Sequence, residues 1–280
     1  MEPYPADPYA YLSEGGGNFG DRFHNIEGIL PVVLLVVIAF FVLQFLHVIP
    51  CVIPIGCGGD ITVGLVGYDP SGATLQILSG KEATYRGIKY LEDIDPTIIT
   101  LDMLKQFDVI ILQGDQYSDL NAREALRSYV DGGGKLILVK DAATLVRNMP
   151  NVYGWEWPRG AGVPSPVELR GKWTGDREVS YGSQLQVIDI NHPIVQGIRL
   201  KGARLYGSFN SNDEITEVIP EGKVIAAVKA TDYSTSGMYS EKTVPAIIEG
   251  GSGLGRVMYF AYEPGFTPGI LLSTIEYMGS

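Results

Sequence analysis

The turn that follows the strand-like run KLILV is the first place in this sequence to look for chemistry. The stretch GGGKLILVKDAATL, residues 132–145, has the pattern of a glycine turn, a buried strand and the start of a helix. Many α/β enzymes expose a nucleophile on such a turn, beside backbone N–H groups that stabilise an oxyanion. This chain has Lys140, Asp141 and Ala142 there, and no cysteine, serine or histidine. The turn therefore predicts a salt-forming pair in the place of a nucleophile.

Other polar residues also follow strand-like runs. In a parallel sheet the carboxyl ends of the strands share one edge, and ligands bind there. Carboxylates that converge at that edge can bind a divalent cation or act as acid and base, whereas isolated ones cap helices or are solvated. Both alternatives stay open, and Lys140 would neutralise one carboxylate. The candidate ligand or contact site comprises Asp69, Asp115, Lys140, Asp141, Tyr262 and Glu263.

The elements that must position these residues alternate between strand-like and helix-like patterns. ITVGLVGYD predicts a first buried strand, and residues 73–90 predict a helical stretch. Residues 95–100 and the run FDVIILQGD predict two further extended segments. NAREALRSYV predicts a helix that Ser118 or Asp119 can cap, with Ala122, Leu126 and Val130 on one face. Such alternation predicts a doubly wound, flavodoxin-like, mostly parallel sheet with helices on both faces.

After residue 150 the alternation of strand-like and helix-like patterns is interrupted and then returns. Residues 150–182 are rich in Gly, Pro and Trp and predict an irregular insertion, whose tryptophans either pack against the domain or offer a platform for sugars. VIAAVKA and PAIIEGGSGLGRVMYFAY predict two strands. A strand follows GGSGLG, so this stretch predicts a hairpin turn and not a phosphate-binding loop. A helix is predicted from about Pro268 to Tyr277.

The first sixty residues differ from the rest in composition. Residues 1–28 predict a flexible tail rich in Tyr, Pro and Gly, and residues 29–50 predict a single transmembrane helix, because Ile29–Ile49 contains no Asp, Glu, Lys or Arg. Arg22 lies before this span and the next basic residue is Lys81, which predicts an extracytoplasmic C-terminal domain. In the linker, residues 51–60, Cys51 and Cys57 could then pair as a disulfide; without a nearby histidine they make a poor metal site.

The net charge of the chain is −11 at pH 7. A general nucleic-acid binder needs a basic face to neutralise phosphates, so this class of protein is excluded. The partners expected are membrane lipid and other membrane-protein subunits or further copies of the chain. No cofactor or bound metal is expected.

The order of these parts resembles the class I glutamine amidotransferase-like superfamily, and in particular its ThuA-like, trehalose-utilisation branch. The resemblance covers residues 61–280, and the segments that carry it are VGLVGY, FDVIILQGD, NAREALRSYVDGGGKLILV, NHPIVQGI, GRVMYFAYEPG and LLSTIEYM. It implies a catalytic cysteine on the turn after KLILV and a histidine after RVMYFAY. Here those positions hold Lys140-Asp141-Ala142 and Tyr262-Glu263-Pro264, and His192 in NHPI is expected to be a hydrogen-bonding loop residue.

These departures predict a protein that is not an enzyme. The function expected is that of a membrane-anchored structural or scaffold subunit of a membrane-associated or cell-surface assembly, which uses a degenerate amidotransferase-like domain for protein contacts. One alternative is a module that binds a glycan or another small ligand at the membrane surface. The other is a metal-dependent hydrolase that uses the acidic residues at the sheet edge.

Overall fold

The computed structural model describes residues 31–39, 60–67, 72–114, 117–147, 149–156, 162–170, 178–195, 205–208, 213–233 and 239–280. The chain divides into two compact units, Met1–Gly58 and Gly59–Ser280. In the first unit residues 31–39 form helix α1, whose side chains are all exposed. The rest of the predicted span 29–50, the tail, Cys51 and Cys57 lie outside the described residues. Within the ranges given above, no helix is both long enough and apolar enough to span a bilayer.

The second unit is a mixed α/β domain. Its strands are β1 (Ile61–Val66), β2 (Ile88–Ile94), β3 (Val109–Leu112), β4 (Tyr117–Ser118), β5 (Lys135–Val139), β6 (Leu145–Val146), β7 (Met149–Tyr153), β8 (Val167–Leu169), β9 (Val179–Val187), β10 (Leu205–Ser208), β11 (Glu214–Thr216), β12 (Val218–Pro220), β13 (Lys223–Tyr233), β14 (Tyr239–Ser252) and β15 (Gly255–Phe260). Its helices are α2 (Ala73–Leu78), α3 (Lys81–Tyr85), α4 (Leu101–Leu104), α5 (Leu120–Asp131), α6, described over residues 193–195, and α7 (Pro268–Gly279), with a 3-10 helix at Pro264–Phe266.

The central sheet has a parallel part in the order β2-β1-β3-β5-β15. This is the flavodoxin-like order, in which the chain changes direction across the sheet between β1 and β3, and ligands bind beyond the strand ends at such a point. Strands β3 and β5 are buried along almost their whole length, as expected for strands covered on both faces. The α/β fold with a parallel central sheet, expected from the sequence, is confirmed.

Antiparallel strands extend the sheet beyond β15 in the order β14-β13-β9-β10, and β11 also pairs with β9. The turn between β14 and β15 is the hairpin expected from GGSGLG. Two small sheets, β8 with β12 and β4 with β6 and β7, contain part of the irregular segment 150–182. Strands β13, β14 and β15 pair in the order in which they follow one another in the chain, and antiparallel neighbours of this kind can be joined by short connections.

The structure corrects the prediction for residues 73–100. The helical stretch 73–90 is two short helices, α2 and α3, followed by β2, since Gly87 adopts a φ of 70° that ends the helical path. The extended segment predicted over 95–100 is a turn, in which the Asp95 carboxylate accepts hydrogen bonds from the Thr97 N–H at 2.8 Å and hydroxyl at 2.7 Å. The strand therefore lies seven residues before the predicted one.

Helix α5 packs one apolar face into the core of the domain. Ala122, Leu126 and Val130 are all buried, as their spacing predicted, and the helix ends at Gly132. Asp119 is the N-cap residue, but its side chain makes no capping hydrogen bond. Complete burial of Leu126 contributes about 1.5–3 kcal/mol relative to an exposed position.

Candidate functional site

The sharp turn after β5 is present in the structure. Lys140 has a φ of 52°, which costs a residue other than glycine roughly 1–3 kcal/mol. Its backbone N–H donates to the carbonyl of Phe260 at 2.7 Å, and the Ala142 N–H donates to Val139 at 3.1 Å. The turn is therefore sharp and strained, and the residue at its tip is a half-buried lysine.

The residues after Lys140 point into the domain and not into solvent. Asp141 is 5% exposed, and its carbonyl accepts a hydrogen bond from the Thr144 hydroxyl at 2.7 Å. The indole N–H of Trp155 donates to the carbonyl of Ala142 at 2.8 Å. Trp155 is itself 1% exposed, so its ring packs against the domain and is closed to a sugar. Trp157 and Trp173 lie outside the described residues.

Arg123 binds backbone carbonyls of this turn and of the segment after it, and the sequence analysis did not single it out. It is completely buried, and its guanidinium donates to the carbonyls of Ala143 at 2.7 Å, Gly154 at 2.8 Å and Trp155 at 2.9 Å. Burial lowers the pKa of Arg123 to about 10, against the opposing effect of Glu156. Within the described ranges no carboxylate lies within ion-pair distance of this guanidinium.

A signal for Arg123 was present in the periodicity of α5. Arg123 lies three residues before Leu126 and seven before Val130, which places it on the buried face of the helix. A cation on an apolar face predicts a buried partner. In this protein the partners are backbone carbonyls, whose positions no side-chain pattern encodes.

Glu263 is the centre of a second buried network, at the end of β15. Its carboxylate accepts a hydrogen bond from the Gln113 amide at 2.7 Å and another from the Thr74 hydroxyl. Glu263, Gln113 and Thr74 are exposed by 6%, 2% and 0%. Gln113 directly follows β3 and Thr74 lies in the first turn of α2, so the Glu263 carboxylate joins the ends of β15 and β3 to helix α2.

The other residues of the candidate site are placed as follows. Tyr262 is fully buried and its hydroxyl lies 2.9 Å from the Thr267 hydroxyl, so burial raises the pKa of its phenol. Lys140 and Asp141 lie together at the end of β5, and Tyr262 and Glu263 at the end of the neighbouring β15. Asp69 and Asp115 lie outside the described residues. In the part of the chain that the structure describes, no three His, Cys, Asp or Glu side chains are grouped to hold a metal ion.

His192 lies away from this edge, in the loop after β9. It is 3% exposed; its Nδ1 accepts from the Ile194 N–H at 3.4 Å and its Nε2 lies 3.1 Å from the Glu249 carboxylate. Tyr277 donates to the other oxygen of Glu249 at 2.8 Å. The ring of His192 thus holds β14 and α7 to the loop.

Comparisons with known proteins place the domain in a family. The family model ThuA, described as trehalose utilisation, matches residues 72–265. No curated protein matches the chain. A cytoplasmic protein of Salmonella typhimurium LT2 has a similar fold, with 13% identity over 78% of this chain and 99% of that chain and a TM-score of 0.51.

Two further solved structures are similar at lower scores. A ThuA-like protein of Parabacteroides merdae ATCC 43184 has 15% identity over 78% of this chain and 89% of that chain, with a TM-score of 0.48. The β-galactosidase of Rahnella sp. R3 has 12% identity over 77% of this chain but only 31% of its own, with a TM-score of 0.48. At 13% identity the Salmonella structure shows a shared fold alone, whereas the family model covers more than half of the sequence. The chain belongs to the ThuA, trehalose-utilisation family.

Proposed function

We propose that this protein is a non-catalytic structural or scaffold subunit of a membrane-associated or cell-surface assembly. In this proposal residues 29–50 anchor it as a single-pass transmembrane helix. The flavodoxin-like domain, a degenerate relative of the amidotransferases, makes protein–protein contacts at the carboxyl edge of its strands. The observation that carries the proposal is the use of Glu263, which is bound inside the protein by Gln113 and Thr74.

An acid or base in catalysis must reach the substrate with a free oxygen. Both oxygens of the Glu263 carboxylate accept hydrogen bonds from the protein, and the residue is 6% exposed. The carboxylate therefore supports the loops around it and is poorly placed to exchange protons with a ligand. This argues for a structural use of the position that follows the late strand.

The turn after β5 supports the same conclusion from the other side of the site. It retains the strained backbone of a nucleophile turn at Lys140, but a lysine replaces the cysteine that the resemblance implies. Lysine on a rigid turn beside acidic neighbours is suited to an ion pair with a partner protein. Contacts to other subunits would then use loops that carry catalysis in relatives.

The apolar N-terminal segment supports the anchor. All nine side chains of α1, residues 31–39, are exposed, including Val32, Leu34 and Leu35 at 61%, 59% and 67%. A helix that is apolar on every face is stable only in lipid or against another apolar surface. The predicted span, residues 29–50, is also suited to packing against copies of itself, because the side chain of Gln44 within it can hydrogen-bond to a neighbouring helix.

The test uses the full chain purified from membranes in mild detergent, with its mass measured by native mass spectrometry. Lys140→Glu should release partner subunits or copies of the chain, whereas Lys229→Glu, an exposed lysine on β13, should leave the assembly intact. The anchor requires that the chain stay with the membrane after alkaline carbonate extraction. A monomer of unchanged mass in both variants and in the parent would contradict the scaffold.

The two alternatives have their own signatures in the same preparation. A glycan-binding module would show saturable binding on a glycan array that Lys140→Glu abolishes. A metal-dependent hydrolase would show turnover that needs an added divalent cation and is lost in Asp141→Asn. Either result would replace the scaffold as the function of the carboxyl edge.

A further inference from the structure

A small pocket lies between the segment that follows β7 and the turn that joins β12 to β13. Its base is apolar and buried, whereas its rim is acidic and faces solvent. No basic residue is among the described residues that line it. The residues of the base are Trp155, Val163 and Val167, and those of the rim are Glu156, Glu168 and Glu221.

Backbone hydrogen bonds hold the walls of this pocket in place. The N–H groups of Glu221 and Gly222 both donate to the carbonyl of Pro166 at 2.9 Å, which joins the rim to the segment of the base. On the other side, the buried guanidinium of Arg123 donates to the carbonyl of Trp155 at 2.9 Å. The pocket is therefore preformed, which lowers the entropic cost of binding a group in it.

The volume of the pocket limits what can fill it. It is about 150 Å³, well below the roughly 300–1,000 Å³ of pockets that bind drug-sized ligands. A cavity of this size holds a group of about six non-hydrogen atoms, such as benzene. That is the size of one long side chain beyond its Cβ atom. The pocket is thus suited to a single side chain of another protein.

The charge of the rim indicates which side chain this is. Three carboxylates around one concave site create a negative potential, which the apolar base strengthens. Arg123 offsets part of the charge of Glu156, which in turn opposes the lowering of the Arg123 pKa by burial.

The carboxylates of the rim are spread around the pocket. In the part of the chain that the structure describes, they are not grouped closely enough to hold a metal ion. A guanidinium presents five N–H donors in a planar fork, whereas an ammonium is a compact point charge. Acceptors that are spread in this way therefore favour an arginine over a lysine or a metal ion.

We propose that this pocket binds an arginine side chain of a partner subunit. The methylene groups of the arginine contact Val163 and Val167, and its guanidinium lies between the carboxylates of the rim. Long cationic side chains commonly pack their stems on apolar surface in this way. The net charge of −11 also favours a basic partner. The inference rests on the proposed scaffold function and adds a second contact surface to it.

The first test measures binding of a small probe, acetyl-arginine methylamide, to the full chain in detergent by saturation-transfer NMR. The control compound is acetyl-citrulline methylamide, which has the same shape without the charge. Glu221→Gln should raise the Kd of the probe about two- to fivefold, the range for one exposed ion pair, and Glu221→Lys should raise it at least about tenfold. Glu124→Lys, an exposed position on α5, is the matched control and should leave the Kd unchanged.

The second test measures the mass of the assembly by native mass spectrometry. Glu221→Lys should release the partner, whereas Glu124→Lys should leave the assembly intact. Both positions are exposed, so the substitutions should leave folding unchanged, which circular dichroism checks.

The outcomes separate this inference from the scaffold function. If the parent binds no probe, or binds the citrulline compound equally well, the pocket does not recognise arginine and the inference is wrong. Binding that appears only in Arg159→Ala would make this chain's own Arg159, which lies outside the described residues, the occupant and would also overturn the inference. If Lys140→Glu releases the partner and Glu221→Lys does not, the scaffold stands and the pocket is not a subunit contact. If the parent is a monomer, the scaffold and the partner arginine both fail, whether or not the probe binds.

Discussion

Replacement of Glu263 tests whether its carboxylate holds the site together. Glu263→Ala removes the acceptor of two buried hydrogen bonds, from Gln113 and Thr74. A hydrogen bond to a charged group contributes about 1.5–3 kcal/mol, and part of this is offset because a buried carboxylate no longer has to be desolvated. The expected loss in the free energy of unfolding is therefore about 2–4 kcal/mol.

Glu263→Gln should cost less, about 1 kcal/mol, because the amide keeps one oxygen and the Gln113 side chain can rotate to match the new N–H₂ group. The control is Glu124→Ala, an exposed position on α5, which should change stability by less than about 0.5 kcal/mol. For a domain of this size 1 kcal/mol shifts Tm by roughly 2–4 °C, so the expected loss of about 2–4 kcal/mol in Glu263→Ala should lower Tm by about 4–16 °C.

The assay is thermal and denaturant unfolding of the full chain in detergent, with tryptophan fluorescence as the signal that monitors unfolding. A structural role for the Glu263 carboxylate is supported if stability decreases in the order Glu124→Ala, Glu263→Gln, Glu263→Ala. If Glu263→Ala is as stable as Glu124→Ala, the network has no structural role. An increase in stability would be more informative still, because residues retained for activity often destabilise the fold, and it would refute the non-catalytic use of Glu263.

Three further predictions follow from buried groups. Arg123→Met should destabilise the domain by about 3 kcal/mol, since it leaves three buried carbonyls without donors, and hydrogen exchange should rise over residues 141–156. Gly255→Ala should prevent stable folding, because a Cβ atom there would lie 2.1 Å from a carbonyl oxygen of α5. Gly269→Ala is the control and should be tolerated, because there is open space around Gly269. Expression yield and thermal melting measure both variants. The hydrogen bond from His192 lowers the pKa of Glu249, so this contact stabilises the protein above the ordinary carboxyl pKa of about 4.5 and is lost at lower pH. Glu249→Gln should therefore flatten the acid side of a curve of stability against pH. An unchanged curve would contradict this prediction.

Local patterns in the sequence were sufficient for much of the parallel sheet. The apolar runs of β1, β3 and β5, the periodicity of α5 and the glycine hairpin before β15 all lie where the sequence predicts. They could be predicted because a strand buried on both faces is a continuous apolar run, and a helix buried on one face has apolar residues at a helical spacing. Strand β2 was missed because its residues, IKYLEDI, lie at the sheet edge and mix charged with apolar types.

The residues Lys140-Asp141-Ala142 and Tyr262-Glu263-Pro264 could also be read from the sequence, at the positions where the resemblance implies a cysteine and a histidine. What these residues do instead was decided by tertiary structure. Glu263 meets partners 150 and 189 residues away in the chain, and Arg123 binds carbonyls whose positions depend on the fold of another segment. Hydrogen bonds between distant residues depend on distances and angles in the folded chain, and residue type alone encodes neither.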